Sequence, residues 1–123
     1  MATYENFESL PVWQASIELC DLIYNATENE HFFKDFALKD QIRRAVISIS
    51  SNIAEGYERD SMRQRVYFLL IAKGSCGEVR SQLEIAKRRK YISDESFTEL
   101  IEKCFSVSKQ LKGFMNYLNN VTK

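Results

Sequence analysis

The sequence has few of the proline and glycine residues that form turns, and this scarcity limits which fold classes are possible. Its 123 residues include one proline and four glycines. Turns must therefore be few and regular elements long, which favours an all-helical chain over a β-sandwich or barrel. No apolar run approaches the roughly 20 residues that cross a bilayer, and the first residues lack the basic and apolar regions of a signal peptide. We therefore expect a cytoplasmic protein with no membrane partner.

Residues of catalytic and metal sites are also scarce. The one histidine, His31, has no second histidine and no cysteine or acid cluster at ligand spacing. The three cysteines are odd in number and far apart, so we interpret them as reduced core thiols. Only Asn52, Glu55 and Glu78 are polar candidates for an inward-facing site, and the Glu-x-x-His motif of di-metal bundles is missing. The sequence predicts no enzyme, no cofactor and no metal.

Apolar residues at helical spacing predict four long helices. Their ranges are 11–26, 35–56, 61–90 and 93–120, with 27–35 as the first connection, and the whole chain 1–123 is predicted to form one domain. Ser61 and Ser93 have the position of N-caps, and Gln64 completes a capping box with Ser61. Gly56 is expected to end the second helix in the left-handed conformation. Connections this short predict an antiparallel, up-down-up-down four-helix bundle.

The second helix carries a stripe of small or polar residues beside its apolar stripe: Ser48, Ser51/Asn52 and Glu55, spaced three or four apart. A turn centred on residues 58–59 pairs positions that sum to about 117, which places Arg43 and Arg44 level with Lys73, Gly74 and Ser75, and Glu78 within reach of one of these arginines. Asn52 and Glu55 fall near the next turn. The stripe is either a polar site or a set of small residues that lets the helices approach closely; the second interpretation is favoured.

Charge is unevenly distributed although the chain is neutral overall. Residues 1–42 carry two Lys/Arg against eight Asp/Glu, a net of −6, whereas 43–90 carry eleven against five, a net of +6. Such asymmetry indicates a basic face for a polyanion, two faces that attract each other between subunits, or an ordinary solvated surface. The cations that could contact phosphates are Arg43, Arg44, Lys73, Arg80, Lys87, Arg88, Arg89 and Lys90. The last four also suit the negative end of a helix dipole.

Four segments together resemble one known family. They are Phe7–Gln14, Gln41–Ala45, Ser51–Gly56 and Phe68–Ser75. Each is similar to the corresponding segment of the four-helix-bundle proteins named for 23S rRNA intervening sequences, also called S23 ribosomal proteins. The resemblance implies a bacterial bundle that forms homopentameric rings. The family is also similar to the accessory protein of diversity-generating retroelements, a basic pentamer that binds nucleic acid.

Two functions follow as hypotheses. The first is a non-catalytic assembly that binds RNA or DNA through a basic surface on the second and third helices. We expect that binding to be electrostatic and dependent on salt, because no exposed aromatic platform lies among the basic residues in a recognisable RNA motif. The second is a scaffold or protein-binding module, in which the acidic and basic regions meet across subunit contacts and no nucleic acid binds.

Overall fold

The computed structural model describes residues 6–121, and every regular element in that range is helical. After a 3-10 turn at Phe7–Ser9 come α1 (Pro11–Thr27), α2 (Glu30–Lys34), α3 (Phe36–Tyr57), α4 (Met62–Arg88) and α5 (Asp94–Val121). The predicted all-helical class is confirmed, and the four long helices agree with their predicted ranges to within two residues at each end. The predicted domain range also includes residues 1–5, 122 and 123, which lie outside the described residues.

Serine side chains fix the starts of the two longest helices, as predicted. The Ser61 hydroxyl oxygen accepts the backbone N–H of Gln64 at 3.1 Å. The Ser93 hydroxyl oxygen accepts that of Ser96 at the same distance. Each bond satisfies a donor that has no partner within its helix, and such a cap stabilises a helix by about 0.5–2 kcal/mol.

The connection predicted at residues 27–35 contains a short helix, α2, that the sequence analysis missed. Asn29 caps it by accepting the N–H of His31 at 3.1 Å. Phe32 is fully buried, with its ring centroid 5.3 Å from that of Tyr91 in the α4–α5 connection. The Tyr91 hydroxyl in turn donates to Asp35 Oδ2 at 2.9 Å. Phe32 and Tyr91 thus tie the α1–α3 connection to the α4–α5 connection.

Gly56 serves close packing rather than chain reversal, so the predicted left-handed helix end is wrong. It lies inside α3, and no glycine in the described range has a positive φ. A Cβ atom built on Gly56 would lie 3.1 Å from the Arg65 carbonyl oxygen and 3.1 Å from Phe68 Cβ, both on α4. Only a residue without a side chain leaves room for α4 this close. The helix ends one residue later, and Glu58 follows in right-handed conformation.

The alignment of α3 with α4 differs from the predicted one. The Ser75 hydroxyl donates to the Ser48 hydroxyl at 2.9 Å, a pair that sums to 123 rather than 117. Gly56 lies opposite residues 65 and 68, which agrees with the same antiparallel alignment. The turn between Tyr57 and Met62 is centred one residue later than assumed, which accounts for two of the six residues. The rest reflects how the two helices pack at Gly56 and at the Ser48–Ser75 hydrogen bond. Arg43 and Arg44 are therefore not level with Lys73, Gly74 and Ser75.

The polar residues at this contact bond mainly to one another and to the turn. Asn52 Nδ2 donates to the Ser48 carbonyl at 2.8 Å and to the Ser48 hydroxyl at 2.9 Å. Glu55 pairs with Arg59, whose carbonyl oxygen accepts from Arg65 Nε at 2.7 Å. The Glu55–Arg59 and Arg65–Arg59 bonds hold the α3–α4 turn, as expected of Glu55. Asn52 does not reach the turn, because both of its bonds go to Ser48 within α3. All of these groups have partners within the protein, which favours the packing interpretation of the stripe.

The apolar core lies where α1, α3, α4 and α5 meet, with α3 against α4, α4 against α5, and α1 against both α3 and α5. Fully buried aliphatic residues come from all four of these helices: Leu19, Ile23, Ile42, Val46, Ile49, Ile53, Val79, Leu83 and Leu111. Their spacing of three or four residues along each helix gives each helix one buried face. The opposite face of α4 is exposed, and the candidate site lies at its edge, on the side toward α5.

Candidate nucleic-acid interface

Three cations repeat along the side of α4 that faces α5. Lys73, Arg80 and Lys87 are seven residues apart, which is close to two helical turns, so they share one side of the helix. The guanidinium carbon of Arg80 lies 4.7 Å from the ring centroid of Phe105 on α5. Lys87 Nζ lies 4.4 Å from that of Phe97. We call these three residues the basic stripe.

A cluster of exposed cations continues the basic stripe past the end of α4. Lys87, Arg88, Arg89 and Lys90 are all exposed. Lys90 has a φ of 62°, the left-handed conformation, and the N–H of Tyr91 donates back to the Ala86 carbonyl at 2.9 Å to close the helix end. Glycine usually fills this position, because a residue with a side chain pays about 1–2 kcal/mol there. This chain keeps a cation where glycine would be more stable.

No carboxylate forms an ion pair with these cations within the part of the chain that the structure describes, although Glu84 lies four residues from both Arg80 and Arg88 on α4. The ion pairs found between residues 6 and 121 are Lys34–Glu30 and Arg59–Glu55. Neither involves the basic stripe or the cluster at the end of α4. Glu78, expected near an arginine, is exposed and forms no ion pair in that range. The positive charge of α4 is therefore available to a ligand.

Arg43 and Arg44 do not join this surface. Arg43 is half-buried and turned toward α1: its Nε donates to Thr27 Oγ1 at 2.8 Å, and its guanidinium carbon lies 4.3 Å from the ring centroid of Tyr24. Arg44 is exposed on α3. The sequence predicts that both arginines lie beside Lys73. This is wrong because the assumed register of α3 against α4 is wrong, and because periodicity does not tell which neighbour a half-buried arginine contacts. The basic surface thus lies between α4 and α5 rather than between α3 and α4.

A shallow groove of about 400 Å³ runs between the two helices beside the basic stripe. Its lining, which we call the α4–α5 groove, consists of Gly77, Arg80, Ser81, Glu84, Phe97, Ile101 and Phe105. The ring of Phe105 is 48% exposed. No exposed aromatic platform is expected from the sequence among the basic residues. Phe105 corrects this expectation, because it is exposed and lies against Arg80. One feature of the sequence could have predicted this exposure: Phe105 is a large apolar residue that lies outside the apolar stripe of its helix.

Comparison with known proteins identifies one family. The sequence model of the 23S rRNA-intervening sequence protein family matches residues 8–113. The chain belongs to this family. A 1.70 Å crystal structure of a protein with unknown function from the S23 ribosomal protein family of Bacteroides thetaiotaomicron is similar, with 28% identity and a TM-score of 0.79 over 85% of this chain and 97% of that one. Comparison with the curated proteins gave no match.

In this 23S rRNA-intervening sequence protein, Cys76 and Cys104 are fully buried. No group of three or more His, Cys, Asp or Glu side chains in residues 6–121 is arranged to hold a metal ion. Burial raises the pKa of the Cys76 thiol to about 11 and that of Cys104 to about 12. Because the thiolate is the nucleophile, these two thiols are inert at neutral pH.

The outer face of α4, which is exposed in the described range, carries apolar residues as well as Glu78 and Ser81. Tyr67, Leu70 and Ile85 are 58%, 55% and 45% exposed, and Ile71 lies beside them. Gly74 is at the centre of the same face, and a Cβ built there meets nothing within 4 Å. Within the described range, no helix is both long and apolar enough to pass through a bilayer.

Proposed function

We propose that the protein is a non-catalytic nucleic-acid-binding module that works as an assembly of identical copies. The observation that carries the proposal is the unpaired positive charge of α4, which runs from Lys73 through Arg80 to Lys87 and on to Lys90. A protein binds polyanions by placing Lys and Arg at phosphates and releasing their counterions. The left-handed Lys90 supports this use, because backbone strain retained at a charged position points to a function of the charge.

The apolar residues on the outer face of α4 support self-association. Counted at 100° per residue, Tyr67 and Ile85 lie about 120° around the helix from Lys73 and Leu70 about 60°. A second copy centred on Tyr67 and Ile85 would therefore leave the basic stripe at the edge of the contact. An assembly would repeat the basic stripe once per copy, and weak phosphate contacts would then add through multivalency. Five copies in a ring is the number that the family resemblance implies. The helix order within each copy is up-down-up-down, supported by the antiparallel α3–α4 and α4–α5 contacts.

The proposed setting is the bacterial cytoplasm. Three free cysteines support a reducing compartment. The functional surface needs no cofactor, because binding by cations, stacking and apolar contact requires only side chains.

We expect nucleic-acid binding to weaken steeply with salt and to depend on the basic stripe. The test is fluorescence anisotropy of a labelled RNA hairpin and a labelled DNA duplex, titrated with protein at several salt concentrations. Reversing four charges together (Lys73→Glu, Arg80→Glu, Lys87→Glu and Arg88→Glu) is expected to weaken binding at least about a hundredfold, because four phosphate contacts become repulsive. Circular dichroism should show unchanged helix content, because these side chains form no ion pair in the described range.

A matched control places the same type of change on α5. Lys103→Glu reverses one exposed charge on the side of α5 turned away from Phe105, and binding should fall by much less than in Lys87→Glu, which reverses one charge of the basic stripe. Equal losses in these two single-charge variants would mean that net charge alone matters. Unchanged affinity and salt slope in the four-charge variant would overturn the assignment of the basic stripe.

The second candidate function, a scaffold without nucleic-acid affinity, is favoured by the exposed apolar residues on the outer face of α4. Here we expect the chain to self-associate, and Leu70→Glu to reduce its mass toward the 14.4 kDa of one copy, as measured by light scattering after gel filtration. Ile47→Glu, at a 42% exposed isoleucine on α3, is the control and should leave the mass unchanged. A single-copy mass for the unmodified protein would contradict self-association.

Salt separates the forces that hold the assembly. Dissociation in high salt would mean that the acidic and basic regions attract each other across subunits. An assembly indifferent to salt would rest on apolar contacts such as Leu70, with the basic stripe left for a ligand. Self-association together with no binding of either nucleic acid at low salt would favour the scaffold and a protein partner.

A further inference from the structure

Aromatic rings and cations alternate across the α4–α5 groove. Arg80 lies over Phe105 and Lys87 over Phe97, at 4.7 and 4.4 Å from the ring centroids. The two phenylalanines are eight residues apart on α5, about 12 Å along the helix, and the two cations are about 10 Å apart on α4. The groove therefore holds two aromatic–cation pairs in succession, with matching spacing on its two walls.

Phe105 is 48% exposed at the mouth of the groove. The Arg80 guanidinium lies over one face of its ring, so a planar ligand would stack on the part of the ring that Arg80 leaves open. Gly77 lines the same groove. An added Cβ there would lie 3.8 Å from Arg80 Nη2, an ordinary van der Waals contact, so a longer side chain at position 77 would occupy groove space beside Arg80. The missing side chain leaves room beside the ring, although a glycine within a helix costs up to about 1 kcal/mol relative to alanine.

Acidic residues limit the path that a bound nucleic-acid strand could follow. Glu84 is the one carboxylate in the lining of the α4–α5 groove, against Arg80 in the lining and Lys87 beside it. Next to the groove on α5, a second shallow surface is lined by Asp94, Glu95, Thr98, Glu99 and Glu102, and Glu102 also lines a surface with Phe105. Phosphates are repelled from that acidic surface and attracted to the basic stripe. A bound strand would therefore lie along the groove rather than across α5.

From these observations we infer that the α4–α5 groove binds single-stranded nucleic acid in preference to duplex. Bases of a single strand can stack on aromatic side chains while cations bind the adjacent phosphates, whereas a duplex buries the faces of its bases. The inference rests on the proposed function, since it names the class of nucleic acid that the same basic stripe would take. Stacking tolerates any base, so the preference concerns strandedness and carries little sequence specificity.

The test compares a labelled 15-nucleotide RNA that has no secondary structure with its own duplex, by anisotropy at one moderate salt concentration and across a salt series. We expect the unmodified protein to bind the single strand more tightly. Phe105→Ala should weaken single-strand binding roughly 5- to 150-fold, the usual loss of one stacked base, and leave duplex binding unchanged. The salt slope should stay the same because no charge is removed. Phe105→Tyr keeps a stacking ring and should retain binding.

Controls separate this inference from the proposed function. Phe36→Ala removes a phenylalanine that is 63% exposed at the start of α3, and should not change single-strand binding. Retained duplex binding by Phe105→Ala shows that this variant is folded. Equal affinity for both RNAs, with no effect of Phe105→Ala, overturns the inference while the proposed function stands. Failure of both RNAs to bind at low salt overturns both.

Discussion

Replacing Phe32 by alanine is expected to lower the free energy of unfolding by about 3–5 kcal/mol. The ring is fully buried, and removing a buried phenyl group loses its transfer free energy and leaves a cavity. The loss also releases Tyr91, whose ring packs on Phe32 and whose hydroxyl donates to Asp35 Oδ2. One substitution in a five-residue helix would therefore loosen both connections at this end of the molecule.

Urea unfolding followed by circular dichroism measures this effect, at one fixed protein concentration because self-association would add to stability. Phe36→Ala is the matched control: it is the same chemical change four residues later, at a side chain that is 63% exposed. We expect that control to lose about 1 kcal/mol or less. Similar unfolding midpoints for the two variants would mean that Phe32 does not anchor the connections.

Replacing Gly56 by valine is expected to destabilise the protein by about 3 kcal/mol, the upper part of the usual range for overpacking. Its Cβ alone would lie 3.1 Å from the backbone oxygen of Arg65 and 3.1 Å from Phe68 Cβ. A backbone oxygen inside α4 cannot move aside without moving the helix, and valine adds two methyl groups to the clash.

Gly113→Val provides the comparison, because a Cβ at Gly113 on α5 meets nothing within 4 Å. Both variants exchange the same residue types within a helix, so helix propensity contributes equally. The difference between their free energies of unfolding then reports the space at Gly56. If Gly56→Val were as stable as Gly113→Val, the α3–α4 contact would be looser than described. Thermal and urea unfolding of both proteins would decide.

Local signals in the sequence predicted the long helices well. Ser61 and Ser93 define helix starts through bonds to residues only three positions away, and no distant part of the chain is needed to form them. The five-residue α2 was missed because it is too short to show a period. Its key residue, Phe32, is buried by Tyr91, which is far away in sequence.

Contacts between helices were harder to predict. Connection length limits where α3 and α4 meet, but the close approach at Gly56 and the hydrogen bond between Ser48 and Ser75 together set the alignment, and glycine has several uses in a sequence. Likewise, spacing correctly placed Lys73, Arg80 and Lys87 on one side of α4, yet it could not tell that this side faces Phe105 and Phe97. Arg43 illustrates the same limit, since Thr27 and Tyr24 on α1 draw it away.

The hydrogen bond between Ser48 and Ser75 opposes a displacement of α4 along α3. Two apolar helix faces tolerate a displacement of one turn, about 5.4 Å, because one aliphatic side chain then takes the place of another. The same displacement would move the Ser75 hydroxyl, which is 3% exposed, away from Ser48 and Asn52 to lie among alkyl groups. A buried hydroxyl without a partner costs about 1–3 kcal/mol. These few polar atoms therefore select one alignment of α3 and α4 among several that bury similar apolar area.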